Sequence, residues 1–413
     1  MAETLFLRFE GLNALVAICD CPELIDAINT ILPKWRYCQV LPSGNEHICA
    51  GIEKTEEGKF LFRTADPHSK PITWNAVNAI CQLLVELAWE QLRSQHHLLC
   101  LHAAAIELNG KLILFPNGRR AGKSTLAAAL VFQGARLLSD DFVLVDRNPE
   151  GGLYARGNGV LPRVRLPLPN DISEHLKTWL DQRSRAENAQ YRFFSVDKLA
   201  GRSDWHKVGG IVLLERNDDH AVPKLRPADQ SEMIEALLKQ NFARAIHSGD
   251  TLAGIGELVE TVPIHVLEYR SASEAATFLK TAKTGLGVDD KDRRNREAVT
   301  TRQYDFGLTH TPQEFDPLKT YCRAPELTEI NLSGEAYLSD TSGKAVHRLN
   351  AGSTAIWRLL EQPITFFEIV EVMSIAYPDI DHQRIEADVT QALQAFLRSE
   401  LVHIFEAKQK GEK

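Results

Sequence analysis

A short polar loop between an apolar run and a helix-forming run constrains this chain more than any other feature. The letters LILF at 112–115 lead into PNGRRAGKST at 116–125, and LAAALVF follows at 126–132. An apolar run bounded by Gly and Pro is typical of a buried strand, and an Ala- and Leu-rich run is typical of a helix. The pattern predicts a strand, a turn and a helix in direct succession, which is the repeating unit of α/β folds.

The loop itself has the composition of an anion-binding site. Small residues let backbone N–H groups turn inward around a phosphate, and the start of the following helix carries a partial positive charge. A loop that ends in Gly-Lys-Ser-Thr between a strand and a helix is a pattern that binds nucleoside triphosphates. We therefore predict that the loop binds ATP with Mg²⁺ through nine consecutive residues: Asn117, Gly118, Arg119, Arg120, Ala121, Gly122, Lys123, Ser124 and Thr125.

Individual loop residues carry distinct expectations. Lys123 should reach the β- and γ-phosphates, and the Ser124 hydroxyl should bind magnesium. Asn117 stands where glycine is usual, and the loop can accommodate it because Asn tolerates positive φ better than other non-glycine residues. Arg119 and Arg120 either contact phosphate or lie in solvent. The alternative interpretation of the whole motif is a turn that merely opens a helix.

Two adjacent carboxylates, Asp140 and Asp141, follow the apolar letters RLLS at 136–139. They lie at the carboxyl end of a predicted strand, where ligands of open α/β sheets bind. One carboxylate, assigned here to Asp141, would hold magnesium, and the other would accept a proton from an attacking hydroxyl. Adjacent side chains on an extended chain point in opposite directions, so the two should divide these roles. Which of them is the base stays open, and a turn or helix-cap pair is the alternative.

Composition narrows the range of partners. The net charge of −8 argues against nucleic acid or an anionic membrane as the main partner. A run of about 18 apolar residues, as a membrane span needs, is absent from the sequence. The start lacks a basic signal segment, and seven scattered cysteines favour reduced thiols, so we expect a cytoplasmic protein. A homo-oligomer is compatible with the sequence.

The length of 413 residues predicts two or three domains. Residues 1–98 form an N-terminal α/β region with short strands and a long helix at 74–96, and residues 99–282 contain the loop and the acidic pair. The stretch 283–317 is charged and lacks a useful period, which is typical of a linker. Residues 318–407 are compact again, with a hairpin pattern followed by three helices.

The span 101–146 resembles the catalytic domain of bacterial HPr kinase/phosphorylase. The likeness lies in order and spacing: His102, Gly110, the loop ending in Gly-Lys-Ser, and the segment RLLSDD. The resemblance implies a P-loop fold of the PEP carboxykinase-like kind, distinct from that of eukaryotic-type kinases. It also implies that Lys123 and Ser124 contact ATP and magnesium, that one Asp of the pair is the base, and that His102 assists it.

Departures from that family suggest a different acceptor. The first loop glycine is replaced by Asn117 and the fourth by Arg120, and the segment that the family uses for HPr docking and the reverse reaction is not visible. Arg163 and Arg165 alternate with apolar residues in VLPRVRLPLP, so they either lie on an exposed edge strand or line the acceptor site.

The segment 338–402 resembles the small PqqD-type chaperones, which recognise ribosomally made precursor peptides. The matching residues are a hairpin followed by Leu349, Asn350, Ala355, Ile356, Trp357 and Leu360, then Thr365, Glu368 and Ile369, and finally Asp388, Leu393 and Leu397. The resemblance implies a winged-helix-like fold that adds a peptide as an edge strand. The alternative is a helical dimerisation domain.

Together these features predict a kinase. The C-terminal domain would capture a peptide or protein, and the loop domain would transfer a phosphoryl group to its Ser or Thr hydroxyl or to its carboxyl end. Tethering raises the local concentration of the acceptor. Two alternatives stay open: a small-molecule kinase that uses the C-terminal domain for assembly, and a non-catalytic nucleotide-binding adaptor of a peptide-modifying complex.

Overall fold

A computed structural model of the chain describes residues 4–94, 99–118, 120–148, 152–219, 222–242, 247–281, 300–303, 313–325, 327–332, 335–340 and 342–405. The chain divides into two compact units. The first comprises Met1–Ala245 and Thr261–Arg294, and the second comprises Ile246–Glu260 and Asn295–Lys413.

The first unit begins with a sheet of six described strands in the order β3-β1-β2-β4-β5-β6. The strands are β1 (Thr4–Phe9), β2 (Leu15–Cys19), β3 (Tyr37–Val40), β4 (Ile48–Lys54), β5 (Phe60–Thr64) and β6 (Ile72–Trp74), with helices α1 (Pro22–Ile31) and α2 (Ala76–Ser94). The predicted long helix is α2, and the last part of that prediction, 95–96, lies outside the described residues. Its apolar positions Ile80, Leu84 and Leu87 are buried, and the helix packs on β4 and β5.

A larger mixed sheet follows in the same unit. Its strands are β7 (Leu99–Leu101), β8 (Ala104–Leu108), β9 (Lys111–Phe115), β10 (Arg136–Ser139), β11 (Val143–Arg147), β12 (Leu153–Arg156), β16 (Trp205–Arg216), β17 (Lys224–Pro227) and β18 (Ile264–Tyr269). The order is β10-β8-β9-β16-β12-β11-β7, and β18 pairs with β16 and β17. The helices are α3 (Lys123–Phe132), α4 (Glu174–Gln182), α5 (Gln230–Gln240) and α7 (Ala272–Thr281), and a small sheet contains β13 (Arg163–Arg165), β14 (Ser184–Glu187) and β15 (Tyr191–Phe194).

Strand directions place the loop and the acidic pair at one edge of this sheet. Strands β8 and β9 form a hairpin: Asn109 and Gly110 have φ of 51° and 76°, and Ile106 lies opposite Ile113. β10 is antiparallel to β8, so it runs in the same direction as β9. The carboxyl ends of β9 and β10 therefore lie at the same edge, and the residues that follow both strands are brought together.

The helix after the loop is buried on nearly all sides. The residues at 126–131 of α3 are all buried, and the helix packs against α7, β8 and β13. A helix that is apolar all round needs such an enclosed position. The loop that precedes α3 is therefore attached to a rigid support.

The second unit contains a helix from the middle of the sequence and the C-terminal segment. Its elements are α6 (Ser248–Thr261), β19 (Thr300–Gln303), β20 (Thr320–Arg323), β21 (Thr328–Leu332), β22 (Glu335–Ser339), β23 (Val346–Leu349), α8 (Ala351–Leu359), β24 (Ile364–Thr365), α9 (Phe366–Ala376), α10 (His382–Arg398) and β25 (Val402–Ile404). The described sheets have the orders β19-β21-β22-β23 and β24-β20-β25. The predicted hairpin and the three C-terminal helices are confirmed.

Trp357 lies fully buried at the centre of this unit, edge-on to Phe396 at 5.8 Å. Much of the predicted linker 283–317 lies outside the described residues, but 300–303 within it form β19, which pairs with β21. In the described part of the chain, no helix is long and apolar enough to cross a membrane.

Candidate functional site

The loop after β9 turns at a glycine that no other residue could replace without strain. Gly122 has φ of 92°, and a Cβ added there would lie 2.5 Å from the Tyr269 hydroxyl. That hydroxyl comes from the end of β18 and donates a hydrogen bond to the carbonyl of Ala121 at 3.3 Å. A fully buried tyrosine therefore packs against the loop at Ala121 and Gly122.

Asn117 does not adopt a positive φ. In the described residues, the non-glycine positions with positive φ are Asp20, Asn109, Arg120 and Glu400. The Asn117 side chain instead binds the backbone of β16: its Nδ2 donates to the Leu214 carbonyl at 3.0 Å, and the Leu214 N–H donates to its Oδ1 at 2.8 Å. Asn thus serves here as an anchor between the loop and the central strand.

The left-handed conformation occurs three residues later, at Arg120, with φ of 68°. This is the fourth loop position, where the sequence already departs from glycine. Arg119 lies outside the described residues. A Cβ added at Gly118 would have no described atom within 4 Å, so there is open space beside the loop at that point.

Lys123 points back into the loop. Its ammonium donates hydrogen bonds to the carbonyls of Asn117 and Gly118, the latter at 3.1 Å. Burial lowers the pKa of Lys123 to about 8, although the charges of Asp141 and Asp140 act in the opposite direction. Ser124 and Thr125 follow in the first turn of α3, half-buried.

The acidic pair lies beside this lysine, directly after β10. Asp140 is 6% exposed, and its Oδ2 accepts a hydrogen bond from the backbone N–H of Arg163 at 2.8 Å. Burial, and then the neighbouring charge of Asp141, raise the pKa of Asp140 to about 7. Asp141 accepts from the guanidinium of Arg163, Nη2 to Oδ2, at 2.7 Å. The two carboxyls therefore have different environments. This agrees with the expectation that adjacent side chains on an extended chain point in opposite directions.

His102 lies next to Asp141. Its Nε2 lies 3.8 Å from Asp141 Oδ1, and its Nδ1 lies 3.1 Å from Gln240 Oε1 at the end of α5. The backbone fixes the same arrangement, because the N–H of Ala103 donates to the carbonyl of Asp141 at 3.1 Å. The structure therefore groups Lys123, the acidic pair and His102.

Two further residues of this region have contacts that the sequence does not predict. The sequence allows two interpretations of Arg163, an exposed edge strand or the acceptor site, and nothing local links it to the acidic pair. Cys81, from α2 of the N-terminal region, accepts from Arg163 Nη1 at 3.4 Å. Burial raises the pKa of the Cys81 thiol, while the nearby Arg163 lowers it. Contacts between residues so distant in sequence leave no pattern that periodicity could detect.

The second unit has a groove of about 900 Å³ beside the edge strand β23. Its walls come from β23, α8 and α10, and they include the apolar side chains of Leu349, Ile356, Val389 and Phe396. In the described sheet, β23 has β22 on one side only. The arrangement places an edge strand, which pairs with β22 alone in the described sheet, next to an apolar wall.

Comparison with known proteins gives two findings. The family model of PqqD, described as coenzyme PQQ synthesis protein D, matches residues 335–402, so this segment is similar to PqqD. The chain also has structural similarity to the HPr(Ser) kinase/phosphatase of Coxiella burnetii, at 14% identity and a TM-score of 0.24, over 44% of this chain and 91% of that one. The expected resemblance of the C-terminal segment to PqqD is thus confirmed. No curated protein matches.

Proposed function

We propose that this chain is an ATP-dependent kinase that phosphorylates a peptide or protein held by its PqqD domain. The observation that carries the proposal is the position of Lys123, whose ammonium lies inside a turn of backbone beside one buried carboxyl, Asp140, and one half-buried carboxyl, Asp141. Lysine in a loop before a helix N-terminus suits a polyphosphate, and carboxyls next to it suit magnesium and proton transfer.

The loop would hold ATP through its backbone amides, the ammonium of Lys123 and the hydroxyl of Ser124. Within the described residues, no three His, Cys, Asp or Glu side chains form a metal cluster. Mg²⁺ usually keeps several waters and takes one or two protein oxygens together with phosphate. Ser124 and Asp141 fit that pattern, and the ion would draw charge from the transferring phosphoryl group.

Transfer would need three actions from the protein. A carboxyl of the acidic pair accepts the proton of the acceptor hydroxyl, Lys123 and magnesium stabilise the charge on the leaving phosphate, and His102 orients Asp141. His102 lies 3.8 Å from Asp141 and is itself held by Gln240, which suits an orienting role.

The PqqD domain would supply the acceptor. The sheet has β19 on the outer side of β21, which leaves β23 as the edge beside the apolar groove. A peptide would pair with β23 as an added strand, and its alternate side chains would enter the groove, in the manner of a winged-helix-like recognition domain. We place this reaction in the cytoplasm.

The test is incubation of the full chain with labelled ATP, Mg²⁺ and the small peptides encoded beside its gene. We expect label on one peptide, lost with Lys123→Met and with a double substitution of Asp140 and Asp141 to Asn. Affinity for MgATP, measured by calorimetry, should fall at least tenfold in Lys123→Met. Absence of any affinity for MgATP would refute the proposal, label on a metabolite would favour a small-molecule kinase, and binding without turnover would favour a nucleotide-binding adaptor.

A further inference from the structure

A second groove of the C-terminal unit is lined by residues of helices α9 and α10. It has a volume of about 670 Å³. Among the described residues, it has no lining residue in common with the groove beside β23. Phe367 and Ile375 of α9 line it, and they are 57% and 74% exposed. Neighbouring large apolar residues that stay exposed to water usually mark an interaction site.

The two apolar residues are not part of the core of this unit. The residues of α9 that belong to the buried core are Phe366, Ile369, Val370 and Met373. Phe367, Glu371 and Ile375 follow one another at intervals of four, so they form a stripe on another face of the helix. All three are exposed. The core is therefore formed without this stripe, and its apolar side chains are available to a partner.

The groove also carries negative charge. Glu371 of α9 and Glu386 of α10 line it, and both are exposed. In the part of the chain that the structure describes, neither carboxylate forms an ion pair with a lysine or arginine. Among charged residues α9 has two glutamates and neither lysine nor arginine. An anionic membrane, or the same groove of a second copy, would bring like charges together, so the complementary surface is a basic one.

We propose that the α9–α10 groove docks a basic amphipathic helix of a partner protein. Phe367 and Ile375 are eight residues apart, which is about 12 Å along the axis of α9. A third helix laid along the groove would present apolar side chains at positions i and i+7 over nearly the same length. Lysine or arginine side chains beside them would reach Glu371 and Glu386. The inference does not depend on the proposed kinase function.

The hydroxyl of Ser374 adds a hydrogen-bonding atom to the groove. Ser374 Oγ is buried, and it has no hydrogen-bond partner within the described residues. Because most buried polar atoms of proteins are hydrogen-bonded, a polar group of the partner would complete this wall. Since the two grooves have different walls, the unit can hold a peptide at β23 and a partner helix at α9 at the same time.

The test measures binding of two labelled model helices to the full chain by fluorescence anisotropy, at about 0.15 M salt to limit unspecific attraction. The peptides, of about 18 residues, have the same leucine pattern, but one carries lysine and the other glutamate at its polar positions. We expect the lysine peptide to bind about tenfold more tightly. Phe367→Ser should weaken both peptides about tenfold, because an aromatic anchor is lost. Phe367 is exposed, so we expect the variant to fold, which circular dichroism checks.

A pair of double variants separates the groove from the overall charge of the chain. Glu371→Lys with Glu386→Lys should reverse the preference between the two peptides. Asp379→Lys with Asp388→Lys changes the net charge equally, and Asp388 lines the groove beside β23. This control should change the preference by less than about twofold. Equal effects of the two double variants, no effect of Phe367→Ser, or no binding of either peptide to the wild type would overturn the inference.

Two further measurements examine other occupants of the groove. In sedimentation velocity, a wild-type dimer that Phe367→Ser converts to a monomer would assign the surface to a second copy. Binding of the wild type to phosphatidylcholine vesicles, abolished by Phe367→Ser, would assign it to a membrane. Either result would overturn the inference, and we expect neither. Since none of these measurements needs phosphate transfer, failure of the kinase proposal would leave their outcome unaffected.

Discussion

Asp140 should make the stability of this protein depend on pH. Its folded-state pKa of about 7 lies well above the ordinary value of 3.8, so the folded state keeps a proton that the unfolded chain has lost. Stability should therefore fall as pH rises from about 4 to about 7, and then stay level. The effect is at most about 4 kcal/mol, because one pKa unit corresponds to about 1.4 kcal/mol.

The variant Asp140→Asn should remove this dependence, because its amide oxygen can still accept from the Arg163 N–H but carries no charge. We expect Asp140→Asn to have a melting temperature several degrees above that of the wild type at pH 8 and a similar one at pH 4.5. Differential scanning calorimetry across this range checks the prediction. Equal differences at both pH values would show that Asp140 ionises normally.

The close contact between Gly122 and the Tyr269 hydroxyl predicts that a side chain at position 122 lowers stability. Gly122→Ala would place a methyl group 2.5 Å from the Tyr269 hydroxyl and force alanine into a left-handed φ of 92°. We expect a loss of about 2–4 kcal/mol in unfolding free energy and weaker MgATP binding. Chemical denaturation and calorimetry measure both quantities.

Removal of the hydroxyl gives the control. Tyr269→Phe in the Gly122→Ala background should restore part of the lost stability, since the next ring atom is 3.8 Å from the added methyl. The left-handed φ would remain, so recovery should be incomplete. No recovery at all would mean that the backbone conformation alone accounts for the loss.

The sequence predicts which residues lie together where those residues stand in short local motifs. The loop, the acidic pair and His102 stand in short motifs, and the structure groups Lys123, both carboxyls and His102. The role of Asn117 was not predictable, because its partner is the Leu214 backbone on another strand. The same holds for Arg163 and Cys81, whose contacts depend on how three separate segments meet.

At the scale of elements, the sequence predicts well wherever periodicity and capping agree. α9 begins with a capping box: the Thr365 N–H donates to Glu368 Oε2 at 2.8 Å, and the Glu368 N–H donates to Thr365 Oγ1 at 3.3 Å. The Thr365 hydroxyl, which donates to Glu368 Oε2 at 2.7 Å, and then the Thr365 N–H lower the pKa of Glu368. A start signal of this kind fixes a helix boundary from sequence alone.

Thr365→Ala should therefore cost about 1 kcal/mol of unfolding free energy. Thr390→Ala is the matched control, since Thr390 lies inside α10 and its hydroxyl bonds back to the Glu386 carbonyl at 2.8 Å. Alanine is favoured at such interior positions, so that variant should be neutral or slightly stabilising. Urea denaturation of both variants tests the difference, and equal losses would contradict the capping role.

At the scale of the whole molecule, α6 departs from the domain boundaries expected from the sequence. It lies between β17 and β18 in sequence, yet residues up to Glu260 group with the second unit. The backbone N–H of Ser248 donates to the Gly343 carbonyl at 2.8 Å. The sequence does not predict that α6 groups with the second unit, because contacts across about a hundred residues are set by tertiary packing and not by local pattern.

Gly249 is the point at which this arrangement can be tested. A Cβ there would lie 2.4 Å from Thr328 Oγ1 and 3.2 Å from Ser339 Oγ, so Gly249→Ala should lower the unfolding free energy of the second unit by about 1–3 kcal/mol. Gly352→Ala is the control: its nearest neighbour is Asn350 Oδ1 at 3.6 Å, and alanine should be neutral or stabilising in that helix. Thr328→Ala, combined with Gly249→Ala, should cost less than the two losses added together, since the clashing hydroxyl is gone. Strictly additive losses in that double-mutant cycle would mean that α6 does not pack on β21 at this point.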